Sequence, residues 1–283
     1  IATVIISVGA ASAIIGIAQY GIFEYDNLGR RPQGSLTHYM TYSGLLMLVS
    51  GMAAARLLFH GRDRTWPALV MPALLAALAL TFTRSAMVGT CVGIGLLLAI
   101  KDLRLLLLAP IVAGLFTAVA PEQITARLYS TFDPQNETVR DRIAMMRTGV
   151  RLVRDYPLMG VGPDMVEGVY ADYRDPAAVQ ESNPHLHNVP IQIAAERGLP
   201  ALFVWIALIV AVTRGLVHLL RTSAYRFLPA GGLAAVGSML AAGMFEYNFG
   251  DSEFLMLWLV LVTLPFAAVA GPTTSDQPTT ESA

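Results

Sequence analysis

The stretch HNVPIQIAAERGLPALFVWIALIVAVTRGLVHLL, residues 187–220, contains the boundary on which the fold turns. Up to Gly198 it reads as a short capped helix. Asn188 suits the N-cap, Pro190 is tolerated in the first turn and Gly198 suits the stop. From Leu199 to Leu220 it is an apolar run long enough to cross a bilayer, which takes about twenty residues. One side of Gly198 therefore belongs to water and the other to lipid.

The composition extends that reading to the whole chain. Apolar residues make up 55% and charged residues only 14%, against roughly 25% charged in ordinary soluble domains. A soluble chain of this length needs more polar surface than that to cover its core, so the composition excludes a soluble enzyme and indicates an integral membrane protein. The net charge of −1 says little about partners, because the charges are segregated by position. The single cysteine, Cys91, excludes an intrachain disulfide. Ile1 begins directly in an apolar segment, with no initiator Met and no basic leader, so the expectation is a fragment whose earlier spans are missing.

Outward from the boundary, the expected class is all-α: a polytopic transmembrane helix bundle of about eight spans with a large helical loop. Residues 1–120 hold spans one to five, at Ile1–Phe23, Thr37–Phe59, Trp66–Phe82, Ala86–Ile100 and Leu105–Ala120. Residues 121–198 form the loop, and 199–270 hold spans six to eight, at Leu199–Leu220, Phe227–Phe245 and Phe254–Ala270. The Pro/Thr/Ser/Glu tail, 271–283, has a disordered composition. The short turns at 60–65, 101–104 and 221–226 carry Arg62, Arg64, Lys101, Arg104, Arg221 and Arg226, which the positive-inside rule places in the cytoplasm. The loops at 24–36, 81–85 and 246–253, and the long loop, then lie outside. There is no internal repeat and no Gly-rich nucleotide loop.

The long loop is where chemistry is expected. Asn136–Tyr156 reads as a helix ended by Pro157, with Arg140, Arg147, Arg151 and Arg154 along one stripe. Arg142 falls on the opposite, apolar side, among Met145, Met146, Gly149 and Val153. An arginine there needs a carboxylate or a bound anion, so it is either a structural ion pair or an anion contact. His187 sits just before a helix N-terminus, where free N–H groups favour an anion, and is read either as structural or as chemical. His185 has no comparable positional argument. Arg84, at the end of the 81–85 hairpin, either snorkels to headgroups or meets a phosphate. Glu246, Asp251 and Glu253, at the end of the last two spans, pair those arginines, orient an acceptor or stay solvated.

In order and spacing these segments resemble the O-antigen ligase and polymerase superfamily. The likeness rests on Arg142, on Asp155–Gly162 (DYPLMGVG), on His187-Asn188 with Glu196-Arg197-Gly198, on Phe82–Ser85, on Gly34–Met40 and on Phe245–Glu253. Met146 stands where the family often has tryptophan, and Pro200 where it often has glycine. The resemblance implies a GT-C-like bacterial inner-membrane glycosyltransferase, its site facing the periplasm, that moves a glycan from undecaprenyl diphosphate to an acceptor hydroxyl and inverts the anomeric centre. Acceptors implied are the lipid A core (ligase), a growing glycan (polymerase) or a protein. Membrane lipid is an expected partner and nucleic acid is not. No cofactor and no metal are expected. Arg84 and Arg142 would hold the diphosphate and His187 would act as base. Arg147, Asn188, Tyr39, His38, Asp251 and Glu253 would line the substrates. The rival of a different class is a small-solute transporter. It would place ionisable residues near the bilayer midplane, whereas here they cluster at the outer ends.

Overall fold

The computed structural model describes residues 1–61, 63–119, 122–129 and 136–269. The expected tail at 271–283 and the basic-turn residue Arg62 lie outside these residues. The described chain is all-α, its only β feature an isolated bridge between Asn27 and Arg30.

Among the described residues eleven α-helices run α1 (Ala2–Gly21), α2 (Tyr39–Phe59), α3 (Thr65–Leu80), α4 (Arg84–Lys101), α5 (Ala109–Val119), α6 (Glu122–Tyr129), α7 (Glu137–Asp155), α8 (Val166–Tyr173), α9 (Val189–Thr222), α10 (Phe227–Gly243) and α11 (Ser252–Val269). Five of them, α1, α2, α4, α9 and α11, are long and apolar enough to cross a membrane, which corrects the expectation of about eight such spans. The shortfall has local causes. Helices α3 and α10 are apolar but have 16 and 17 residues, or about 25 Å at the α-helical rise. The stretch expected as Leu105–Ala120 is divided into a 3-10 segment, Leu103–Leu108, and the 11-residue α5. Pro110, which has no N–H to donate, sits in the first turn of α5, where the α-helix begins afresh.

Helix α10 is central to the bundle and packs against α2, α4, α9 and α11. Its approach to α4 depends on small residues. A Cβ at Gly89 would lie 2.8 Å from the Ser238 carbonyl oxygen, and one at Gly93 would lie 3.1 Å from that of Ala234. In lipid, where tails are as apolar as side chains, this close backbone approach is what holds helices together.

The described turns gather at two opposite ends of the bundle. At one end the Phe59 ring lies beside Lys101 (5.5 Å) and Arg226 (5.9 Å), His60 packs on Phe227, and Arg56 pairs with Asp63 and donates to Thr3. At the other end Gln19 fixes the 24–36 loop by donating to the Gly34 carbonyl and accepting from the Gln33 and Gly34 amides. Phe82, at φ +54°, packs there with Tyr20, Met87 and Ile124 of α6. Thr41 donates to Asp251 at the same end, joining α2 to α11. The turns expected on one side of the membrane are thus together, and so are those expected on the other.

The outer unit, α7, α8 and the first part of α9, has its own core of Met145, Leu152, Val166, Tyr170, Leu186 and Ala195. Helix α9 continues from this unit into the bundle through a single break at Gly198 (φ +79°, ψ +170°). That break explains the paired glycine motifs. Beyond it Pro200 has no N–H for the Glu196 carbonyl, and the Leu199 amide turns away to Pro157. The Ala195 and Glu196 carbonyls are satisfied instead by the amides of Val161 (2.8 Å) and Gly162 (2.9 Å). A Cβ at Gly160 would come within 2.2 Å of the Glu196 backbone, and one at Gly198 within 2.1 Å of the Leu158 carbonyl oxygen. The 157–162 turn is therefore strapped to the helix break by backbone contact.

Candidate functional site

Arg142, His185 and His187 converge on a fourth side chain, Glu246, in the turn after α10. The carboxylate is buried, its side chain 11% exposed. Oε1 accepts from His185 Nε2 (3.2 Å), His187 Nδ1 (3.0 Å) and the Tyr247 amide (3.1 Å). Oε2 also lies 3.0 Å from His187 Nδ1 and faces the Arg142 guanidinium at 3.8 Å. Burial alone would raise the Glu246 carboxyl. The hydrogen bonds from the two histidines, and their charge, outweigh burial and hold it well below the usual carboxylate range. Glu246 is therefore an anion, and an anionic carboxylate only accepts. Facing that carboxylate, Nδ1 of His187 is the donor, and Nε2 is a lone-pair site whenever the ring carries one proton.

Local sequence places each of these groups. Helix α7 runs Glu137–Asp155 as the periodicity predicts, and Asn136 caps it by accepting from the Thr138 amide. The stripe side chains Arg140, Arg147, Arg151 and Arg154 are exposed, and Arg151 bonds Asp175 (2.8 Å). Arg142, on the other side, is 19% exposed, and its ion pair is with Glu246. Asn188 is the N-cap of α9, as read from sequence, with Oδ1 accepting from the Ile191 amide (3.0 Å). Its Nδ2 also donates to the Met244 carbonyl (3.1 Å), so the same residue fixes the α10 end that carries Glu246. On the other side of His187, Leu186 is fully buried and its amide donates to Gln192 (2.7 Å). Held between two anchored neighbours, His187 takes φ +50°, a conformation uncommon for a residue other than glycine.

Glu196 is a second buried carboxylate, but its partners are all within the scaffold. It accepts from Gln192 Nε2 (2.7 Å), the Asp164 amide (3.1 Å) and Arg197 (2.6 Å). Tyr247 links the two groups indirectly: its amide donates to Glu246, and its hydroxyl accepts from the arginine that pairs with Glu196. Burial, with the Glu196 charge nearby, pushes its hydroxyl up, and Arg197 lies 3.5 Å away.

The other residues singled out from the sequence lie elsewhere. Arg84 is buried in the first turn of α4, after the Thr83 N-cap. His38 caps α2, its Nδ1 accepting from the Met40 amide. Tyr39 is stacked between His38 (4.7 Å) and Arg31 (4.2 Å). Asp251 has both oxygens engaged, Oδ1 by the Phe254 amide (2.9 Å) and Oδ2 by Thr41. Glu253 bonds its neighbour Ser252 at the surface (2.7 Å). Sequence reasoning left out His185 and did not single out Glu246 as the focus. The available signal was the presence of two histidines two residues apart; their rings lie 4.3 Å apart.

Two further properties bear on chemistry. His185, His187 and Glu246 offer atoms within 4.8 Å of one another, near enough to share a cation. However, both Glu246 oxygens already accept hydrogen bonds and Arg142 adds positive charge beside them, an arrangement better suited to proton transfer and anion binding. Beneath the site an apolar cavity of about 430 Å³ opens between α4, α9 and α10, lined by Val92, Val189, Trp205, Met239 and Met244. Residues 67–206 match a family model described as O-antigen ligase. The match takes in Arg84, Arg142, His185 and His187 but ends before Glu246. No curated protein matches the chain.

Proposed function

We propose, from this chain's membership of the O-antigen ligase and polymerase superfamily, that it joins a glycan carried on undecaprenyl diphosphate to the lipid A core, with His187 as the base. Ligase- or polymerase-type glycan transfer at a multi-pass membrane protein is the coarser statement that the family match carries. The observation supporting His187 as the base is that a single carboxylate, Glu246, holds both His187 and Arg142.

In the proposed step, Nε2 of His187 accepts the proton of the acceptor hydroxyl while the freed oxygen attacks the anomeric carbon. The bond from that carbon to the diphosphate oxygen breaks, and its electron pair leaves with the diphosphate. Attack opposite the leaving group inverts the centre. Arg142, whose five N–H donors face only one long ion pair among the described residues, stabilises the departing charge, and Arg84 is assigned the same task. Glu246 keeps the His187 proton on Nδ1 and balances the imidazolium that forms. The apolar cavity below suits the hydrocarbon part of a lipid-linked substrate. No metal is assigned to this step. In this reading the site faces the periplasm at a bacterial inner membrane, with the basic end in the cytoplasm.

The test is transfer by the purified full-length protein in nanodiscs, supplied with an undecaprenyl-diphosphate glycan and with lipid A core, free glycan or peptide. Transfer to lipid A core by wild type and its loss in His187→Ala are expected. Transfer only to glycan or peptide replaces the ligase reading by polymerase or protein transfer. Undiminished transfer in His187→Ala overturns the assignment of the base. No transfer to any acceptor, together with solute uptake in vesicles, moves the protein to the transporter class.

A further inference from the structure

The turn that straps the α9 break carries the most exposed apolar side chains of the outer unit. Leu158 is 69% exposed and Met159 83%, flanked by half-exposed Tyr156. Apolar side chains presented singly are ordinary on soluble surfaces. This group differs in its position along the chain's path into the membrane.

The backbone fixes its depth. The Leu158 carbonyl abuts Gly198, and the Leu199 amide donates to Pro157 (2.7 Å), so the turn is level with the helix break. The exposed apolar side chains of the spanning part of α9 begin just beyond, with Phe203 (66%) and Val204 (70%). Five residues separate Gly198 from Phe203, about 7.5 Å along the axis. That matches the thickness of one headgroup layer, since headgroups add about 5–7.5 Å on each side of the hydrocarbon core. The turn cannot drift from this level, because two glycines at positive φ and three backbone hydrogen bonds lock it to α9. Arg154 and Tyr156, just before the patch in sequence, and Arg197, next to the α9 break, are exposed. Cations and tyrosine around an apolar tip are the residue types that settle at a membrane–water interface.

We infer that Leu158 and Met159 insert into the bilayer edge on the site side, making the 156–160 turn a lipid anchor that holds the outer unit at a fixed height above the membrane. The occupant of this surface is the membrane's own lipid. The inference rests on the membrane-spanning fold and is independent of which reaction the site performs.

Nitroxide labels on single cysteines test it, placed in the full-length protein on a Cys91→Ser background in lipid nanodiscs. The sites are Leu158→Cys and Met159→Cys, with Val204→Cys as the lipid reference and Glu181→Cys, exposed on the outer unit, as the water reference. Accessibility is read to oxygen, which concentrates in lipid, and to a nickel chelate, which stays in water. The expected result is an oxygen-to-nickel ratio at 158 and 159 several-fold above that at 181 and on the side of 204. Ratios at both positions equal to that at 181 overturn the inference, including the alternative in which a partner protein covers the patch in cells. As an independent readout, an environment-sensitive fluorophore at 159 should shift to the blue on transfer from detergent-free amphipol to nanodiscs. An unshifted emission counts against lipid contact.

Discussion

The two ends of the bundle handle charge in opposite ways. At the basic end the described contacts of the cations are spread over several separate groups. Lys101 and Arg226 lie against Phe59, Arg56 pairs with a half-exposed Asp63, and Arg64 donates to the His60 carbonyl (2.6 Å). At the other end His185, His187 and Arg142 share one buried carboxylate. Dispersed cations anchor a helix end, and losing one leaves the rest in place. Convergence on Glu246 makes three side chains depend on a fourth, which is a costly way to stabilise a fold and an effective way to position a base beside an anion site. Position differs as well. The basic end consists of short turns, whereas the site is assembled from α7, the α9 cap and the α10–α11 turn.

If convergence is functional, the largest effect follows from removing its arginine, held by one long ion pair. Arg142→Ala should lower transfer by about a hundredfold or more, the range for losing one charge-stabilising donor, with the protein still folded. A rate within a few-fold of wild type would reduce Arg142 to a structural ion pair. Next comes the strap that sets the geometry of the site end. Gly198→Ala puts a Cβ within 2.1 Å of the Leu158 carbonyl oxygen at a positive φ. It should destabilise the outer unit by more than about 2 kcal/mol, seen as lost hydrogen-exchange protection at 161, 162 and 199.

The pH response sharpens the comparison further. A carboxylate held below its unfolded value near about 4.3 contributes stability that is present above that value and is lost as pH falls through the folded one. Glu246 should stay ionised from pH 7 down to about 4.3, which the carboxylate bands in a wild-type minus Glu246→Gln infrared difference spectrum would register. Protonation by pH 5 would contradict the hydrogen-bond assignment. The smallest effect is expected at the basic end. Asp63, half exposed, pairs with Arg56 at the end of the bundle away from the site, and Asp63→Asn should change transfer less than about twofold.

Much of this was legible in the sequence because bilayer physics is read from runs of residues. The apolar blocks, the α7 stripe, the Asn188 cap and the Gly198 stop are all local patterns, and the helices form where those patterns lie. Span number was less legible, because periodicity does not reveal that Pro110 restarts a helix or that α10 ends at Gly243. The partner of Arg142 was foreseeable only as one of several carboxylates. Glu246 and Asp251 look alike in sequence, and only the three-dimensional path shows that Asp251 is consumed as a cap while Glu246 faces two rings. His185 was missed because its role depends on the curvature of 183–188, where His187 turns to φ +50°. The glycine motifs were legible as turns. Their function, closing the carbonyls left open before Pro200, depends on contacts between residues far apart in sequence, Val161 with Ala195 and Gly162 with Glu196.

The central claim is that Glu246 exists to hold His187 for proton transfer. It is tested most directly by the transfer rate of Glu246→Gln beside wild type in the same nanodiscs, with donor binding measured in parallel. Gln keeps the size and one acceptor oxygen but removes the charge that fixes the Nδ1 proton. The account predicts a rate lowered by about two orders of magnitude or more, the scale of general-base catalysis, with donor still bound. A Glu246→Gln protein that transfers glycan at the wild-type rate would contradict it.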